Sequence, residues 1–254
     1  MELRGFMHEM ILTELEDAVG VENVSHSSDQ KLAYGTDYFW LARMTVDKGG
    51  DPALPDYVVR PGCAEEVSKV LKIANYYKLP VQTWGGGSGS QGGALPMAGG
   101  IVLDIKRMDK LLDIDTKAGT ITCETGMIFQ TLEWYANEQG FSVMHLPSCL
   151  TCCTVGGALA HNGIGILSTK YGKIDDQCLS VEVALPNGDI INTLPVPKHS
   201  SGPNLLPLFL GSEGTLGIMT KAKFKMTKLP EVRRHHAFLF KDCLLYTSDA
   251  ADDK

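Results

Sequence analysis

Apolar positions recur every three or four residues in three stretches of this chain. Met10, Ile11, Leu15, Ala18 and Val19 trace one helical face, which stops at Gly20. Val67, Val70, Leu71 and Ala74 trace a second behind Pro61-Gly62, with Glu65 and Glu66 in its first turn, where the helix dipole favours acids. Ile128, Leu132, Tyr135, Ala136 and Gln139 trace a third, ended by Gly140. Short apolar runs of strand length lie between them. Tyr57–Arg60 and Val81–Trp84 flank the second helix as a strand–helix–strand unit, and Ile101–Ile105 follows. Leu111–Asp115 and Gly119–Glu124 read as a hairpin turned at Thr116-Lys117-Ala118. Ser180–Leu185 and Asp189–Thr193 read as another across Pro186-Asn187-Gly188, where Asn-Gly is a strong turn signal. Pro203–Leu208 predicts a short helix, and Gly211–Met219 leads into a last strand.

One segment breaks this alternation. Trp84 is followed by Gly85-Gly86-Gly87-Ser88-Gly89-Ser90-Gln91-Gly92-Gly93. Glycine lets successive main-chain N–H groups turn to one side with no Cβ in the way, which makes a concavity for phosphate oxygens. Gly87 to Gly92 spells G-x-G-x-x-G, and Asp104 stands where a ribose-binding acid could. That dinucleotide motif needs a helix directly after its glycines. Here Gly93-Ala94-Leu95-Pro96-Met97-Ala98-Gly99-Gly100 intervenes before a strand, and no Lys-Ser/Thr follows as a P-loop requires. Two readings stand: a loop between strands whose amides face a phosphate, or a long surface loop without a ligand.

Composition narrows the partners. A net charge of −7 without a basic block argues against nucleic acid and against an anionic membrane surface. No apolar run is long enough to span a bilayer, and Met1–Gly5 begins no signal-peptide core, so a soluble cytoplasmic protein is expected. Cys149, Cys152 and Cys153 form a C-x-x-C-C run that admits metal, redox or plain loop roles. A zinc site would need a second ligand pair at matching spacing, so no metal ligands are assigned. Cys123 and Cys178 sit in strand-like runs, where a free thiol packs as a small apolar group. His235 and His236 are adjacent in an extended stretch, which points their side chains to opposite faces.

Three glycine-bearing segments then fall in order: Trp84–Gly93; Pro147-Ser148 through Thr154-Val155-Gly156-Gly157-Ala158-Leu159-Ala160-His161-Asn162-Gly163-Ile164-Gly165; and Gly211–Met219. With Val58–Gly62, Gly100–Asp104 and Lys170-Tyr171-Gly172, they resemble the FAD-binding domain of the vanillyl-alcohol-oxidase/p-cresol methylhydroxylase superfamily. Within it, the chain is most similar to the branch of the glycolate oxidases and D-lactate dehydrogenases. The resemblance runs from about Ile11 to Asp242. It implies an α+β fold of the PCMH type: two α/β subdomains with the cofactor between them.

The resemblance also implies roles. Gly85, Gly86, Gly87, Ser88 and Gly89 would offer amides to the FAD pyrophosphate, and Ser148 and Thr154 would serve the same phosphates and the flavin edge. Gly156 and Gly157 would start a short helix close to the cofactor, Asn162 and Gly163 would lie beside the isoalloxazine, and Glu213, Gly217 and Ile218 would border the adenosine half. Trp84 either packs on the cofactor or simply ends its strand. The chain departs from many relatives at Ala158, where they carry Asn, and at His161, where they carry Thr. His161 either hydrogen-bonds flavin or substrate, or is a helix-end histidine. Some members tether FAD to a first-loop histidine. Ser90 and Gln91 stand there, so noncovalent FAD is expected.

Domain boundaries follow: a helical lead-in over 1–53, the FAD-binding domain over 54–230, the start of a cap domain over 231–242, and a tail over 243–254. That tail, Cys243–Asp253, resembles a translated transposase sequencing adapter, and the natural sequence is expected to end near Asp242. In the superfamily a cap domain brings the catalytic base and, in the 2-hydroxy-acid branch, metal-holding histidines. No such segment stands here, so no catalytic residue is assigned. The implied function is FAD-dependent oxidation of a 2-hydroxy acid such as D-lactate or glycolate. A small-molecule substrate is implied with it, and an iron–sulfur or other electron-transfer protein is the candidate partner. The alternatives are an FAD-using transferase like alkyl-dihydroxyacetone-phosphate synthase and a non-catalytic FAD-binding accessory subunit.

Overall fold

The computed structural model describes residues 2–197, 199–232, 234, 236, 237 and 239. The chain opens with α1 (Glu2–Val19), β1 (Val24–Ser25), α2 (Ser28–Ala33) and α3 (Trp40–Asp47). Next come β2 (Tyr57–Val59), α4 (Ala64–Tyr77), β3 (Val81–Trp84) and β4 (Ile101–Asp104). The second half holds β5 (Leu111–Asp115), β6 (Thr120–Glu124), α5 (Phe129–Glu138), β7 (Phe141–Ser142), α6 (Val155–His161), α7 (Ser168–Tyr171) and α8 (Ile174–Gln177). It ends with β8 (Cys178–Ala184), β9 (Ile190–Asn192), α9 (Leu206–Phe209), β10 (Ile218–Lys225) and β11 (Thr227–Lys228).

Two sheets divide the molecule. The first has the order β1-β2-β4-β3, in which β2, β4 and β3 run parallel and β1 joins antiparallel at the edge. The strand–helix–strand unit therefore crosses over one position, and β4 fills the gap it leaves. β2 and β4 are fully buried, as parallel strands covered on both faces must be. The helical faces read from the sequence close one side: Leu15 and Val19 of α1 and Val67 and Val70 of α4 pack on Tyr57, Val59, Ile101 and Leu103. The second sheet is antiparallel, in the order β5-β6-β10-β8-β9, so the last long strand separates the two hairpins. Its core gathers Phe129 and Leu132 of α5, Leu159 of α6, and Ile121, Val183 and Phe224 of the sheet.

The expected α+β fold with two subdomains is present, and each sheet has its own core. The Pro203–Leu208 helix begins later than predicted, at Leu206, because Asn204 turns its Oδ1 back to accept from the Leu206 amide at 3.2 Å. The helical lead-in is richer than its patterning suggested: α2 and α3 are short, and neither carries a buried residue from which to read a face. Among the described residues, no helix is long and apolar enough to cross a membrane. His235 and the 243–254 tail lie outside the described residues.

Candidate cofactor-binding site

The glycine cluster leaves the C-terminal end of β3, at an edge of the parallel sheet, and runs over the segment that opens α6. Ligands of open α/β sheets collect at that end of their strands. A Cβ built on Gly86 would overlap the Cys152 carbonyl oxygen, and one on Gly85 would overlap the Thr154 hydroxyl. Gly87 has φ +60° and its Cβ would meet the Trp84 ring at 2.6 Å. These three glycines are thus required by close approach and by backbone conformation. Gly89 differs, since its Cβ would meet nothing within 4 Å.

The third glycine segment closes the other side. The Gly211 amide donates to the Leu159 carbonyl at 3.1 Å, and the Glu213 amide to the Ala160 carbonyl at 3.0 Å. Both acceptors lie near the C-terminal end of α6, where helix carbonyls otherwise lack partners. Short α6 is therefore the post against which both glycine loops are fixed. Its own first amides are used within the protein: Val155 donates to Met127, Gly156 to Thr125 and Gly157 to the Thr154 hydroxyl.

Between these walls lies a cleft of about 360 Å³. It is lined by Gly85, Gly86, Gly87, Ser88, Gly89, Ser148, Thr154, Gly156, Gly157, His161, Gly163, Glu213, Gly217 and Ile218, so the structure brings these expected residues together. Asn162 is not in the lining. It holds the left-handed cap of α6 at φ 51°, with its side chain against the Gly211 backbone. Trp84 also lies outside the cleft. It is 6% exposed and packs edge-to-face on Tyr34 at 5.0 Å, beneath the glycine loop. Asp104 is committed to structure, accepting from the Tyr34 hydroxyl at 2.6 Å and the Lys106 amide at 3.0 Å. Burial, together with this carboxylate, pushes the Tyr34 hydroxyl up to about 12.

The amides of Gly85–Gly89 find no acceptor among the described residues. Unpaired main-chain donors on a concave wall are what a phosphate ligand needs, and a pyrophosphate fits this loop on that ground. The donors lie in the loop and not at the start of α6, whose amides are already satisfied. His161 and Glu213 face each other across the mouth, with Nδ1 and Oε1 3.8 Å apart and both side chains about half exposed or more. Glu213→Gln is expected to change stability by less than about 1 kcal/mol in chemical denaturation at neutral pH, because a solvated pair at that distance contributes little.

Sequence reasoning missed two lining features that matter. Cys149 and Cys153 put the cysteine run on the cleft wall, and burial raises the Cys153 thiol far above its ordinary range, away from a reactive thiolate. His145 lines the cleft with 1% exposure, and its Nδ1 is buried without a partner. Its only sequence signal was its place two residues before the glycine-bearing segment that opens at Pro147.

The parallel sheet, the antiparallel sheet and a glycine-walled cleft with acceptor-less main-chain amides fit a protein of the cofactor-binding class. The comparisons with known proteins agree. Residues 55–194 match the family model described as FAD binding domain, and the chain belongs to that family. It is 33% identical over 222 residues to glycolate oxidase subunit GlcD of Bacillus subtilis, covering 87% of this chain and 45% of that protein. It is 41% identical to D-lactate dehydrogenase of Archaeoglobus fulgidus, covering 69% of this chain and 39% of that one. An alkyldihydroxyacetonephosphate synthase structure superposes with a TM-score of 0.80 at 29% identity, covering 88% of this chain and 41% of that one. A p-cresol methylhydroxylase structure superposes with a TM-score of 0.72 at 25% identity, covering 88% of this chain and 44% of that one. The chain spans less than half the length of these proteins.

Proposed function

We propose that this chain is the FAD-holding half of a flavin-dependent oxidoreductase that oxidises a 2-hydroxy acid such as D-lactate or glycolate. The observation that carries the cofactor part is the run of acceptor-less amides at Gly85–Gly89 on the cleft wall. The substrate class is supported by the names of the glycolate oxidase and D-lactate dehydrogenase relatives. When bound, FAD supplies hydride chemistry, and the protein supplies binding and orientation. In this reading the loop amides grip the diphosphate, Thr154 fixes the start of α6, and Gly156, where a Cβ would press on Ile105 and Thr125, lets α6 pack closely behind the cleft wall. Gly163 and Ser148 border the ring end, and Glu213, Gly217 and Ile218 border the adenosine end.

In this reading the chain divides into a lead-in over 1–53, the FAD domain over 54–230 and the start of a cap over 231–242. The catalytic base and the substrate contacts belong to that cap. A cytoplasmic location and an electron-transfer partner complete it. The alkyldihydroxyacetonephosphate synthase likeness favours a second reading, a transferase that uses FAD without net oxidation.

Purification tests the cofactor. The chain is expected to take up FAD and show flavin absorbance that acid precipitation releases into the supernatant. Colour retained on the precipitated protein would mean a covalent tether. With saturating FAD, this chain alone is expected not to oxidise D-lactate or glycolate with a dye acceptor. Robust turnover would show that the substrate machinery lies within these residues.

A further inference from the structure

His145 is a polar side chain sealed into the cofactor cleft by a purpose-built segment. Glu133 of α5 is buried, and its carboxylate accepts from the Val143 amide at 3.0 Å. The Ser142 hydroxyl accepts in turn from Met144 at 2.9 Å. These bonds hold Met144 at φ 60°, a left-handed conformation that a side chain of its kind rarely adopts. Strain of this sort persists only where surrounding structure enforces it, and it collects at functional positions. Its effect here is to turn the next residue inward. The His145 ring packs edge-to-face on Phe129 at 5.3 Å and lines the cleft beside Ser148 and Gly156. The following residue anchors this wall, since the Leu146 carbonyl accepts from the Ile166 amide at 3.0 Å and the Gly165 backbone lies against it.

The ring's protonation follows from its partners. Burial drives the His145 pKa down to about 4, so the imidazole is neutral at pH 7 and carries one proton. Nδ1 is buried and meets no acceptor. A proton there would be a buried orphan donor, which proteins avoid more strictly than an orphan lone pair. The proton therefore belongs on Nε2, and the ring offers a single N–H donor to whatever fills the cleft.

We propose that His145 donates its Nε2–H to the pyrimidine edge of the FAD ring and raises the cofactor's reduction potential. This rests on the reading that FAD occupies the cleft. The pyrimidine edge gains negative charge on reduction, so a donor held there favours the reduced form, and charge near N1 is a lever by which proteins tune flavins.

The test uses this chain saturated with FAD, its His145→Phe variant and its His145→Gln variant. The Phe variant is expected to keep FAD and to lower the potential by about 30 mV, a tenfold shift of the two-electron equilibrium. His145→Gln, which keeps a donor, is expected to recover most of that shift. A role in packing alone would move the unfolding midpoint and leave the potential unchanged. In wild-type chain labelled with ¹⁵N-histidine, FAD is expected to bring up one imidazole N–H resonance, shifted downfield and slow to exchange. That second readout stands even where the Phe variant fails to fold. An unchanged potential in a folded, FAD-loaded Phe variant, or no new imidazole N–H resonance on FAD binding, overturns the role of His145 alone. A wild-type chain that takes up no FAD overturns the cofactor reading and the role of His145 with it.

Discussion

Gly86→Ala is expected to abolish retention of FAD, whereas Gly89→Ala, three residues on in the same loop, is expected to leave it nearly unchanged. The added carbon at Gly86 would overlap the Cys152 carbonyl, a main-chain atom that cannot rotate away, with the Cys153 Cα also 3.1 Å distant. Relief requires the loop to lift off the 152–154 segment, and every amide from Gly85 to Gly89 would then leave its place on the cleft wall. Overpacking of this kind costs about 1–3 kcal/mol, and a clash with a main-chain atom lies at the upper end. Felt wholly in binding, about 3 kcal/mol weakens FAD about a hundredfold, since each 1.4 kcal/mol is tenfold. At Gly89 the new methyl meets nothing within 4 Å and the residue has no positive φ, so a change of less than about threefold is expected. Fluorescence titration of FAD, with the unfolding midpoint measured beside it, separates the two. Equal loss at both positions would mean that the loop binds through its flexibility and not through a fixed arc of amides.

That contrast marks where the sequence was legible and where it was not. The faces of α1, α4 and α5 announce themselves because each buries one side on a sheet, so the 3.6-residue period survives in the letters. The strands of the parallel unit and both hairpins were equally plain. The sheet order was not: β4 slots between β2 and β3, and β10 between the two hairpins, through pairings distant in sequence that leave no local pattern. The glycine loop was legible as a candidate phosphate cradle, beside the reading of a long surface loop, because so many residues without Cβ stand together. Which of its glycines are indispensable depends on the Cys152 carbonyl, a partner from another segment, and that cannot be seen in one segment's composition. Asn162 and Trp84 show the same limit. Both stand in motifs of the cofactor site, yet Asn162 caps α6 and Trp84 supports the loop from below. His145 escaped notice for the converse reason. A single histidine in an irregular stretch carries no periodic signal, and its burial depends on Glu133 bonding to Val143 from a helix read only for its apolar face.

The buried histidine also sets how the fold answers to acid. The pKa of His145 is depressed from about 6.5 in an unfolded chain to about 4 in the fold, because burial disfavours the imidazolium. The folded state therefore binds fewer protons than the unfolded state between those values, and stability falls as pH falls. The contribution is fully present above about pH 6.5 and is lost through about pH 4. Its size is about 3 kcal/mol, at 1.36 kcal/mol for each pH unit between the two values. Glu133 acts in the opposite sense. Burial raises its pKa, so its effect on stability weakens the fold as pH rises above the ordinary carboxylate range. The two must be separated by difference. Urea denaturation of wild type and His145→Phe at pH 7 and pH 4 is expected to show wild type losing about 3 kcal/mol more than the variant on acidification. For a chain of this size that is roughly 6–12 °C in unfolding midpoint. Parallel losses in the two proteins would mean that the imidazole is already solvated, and the sealed donor proposed for the cleft would not exist.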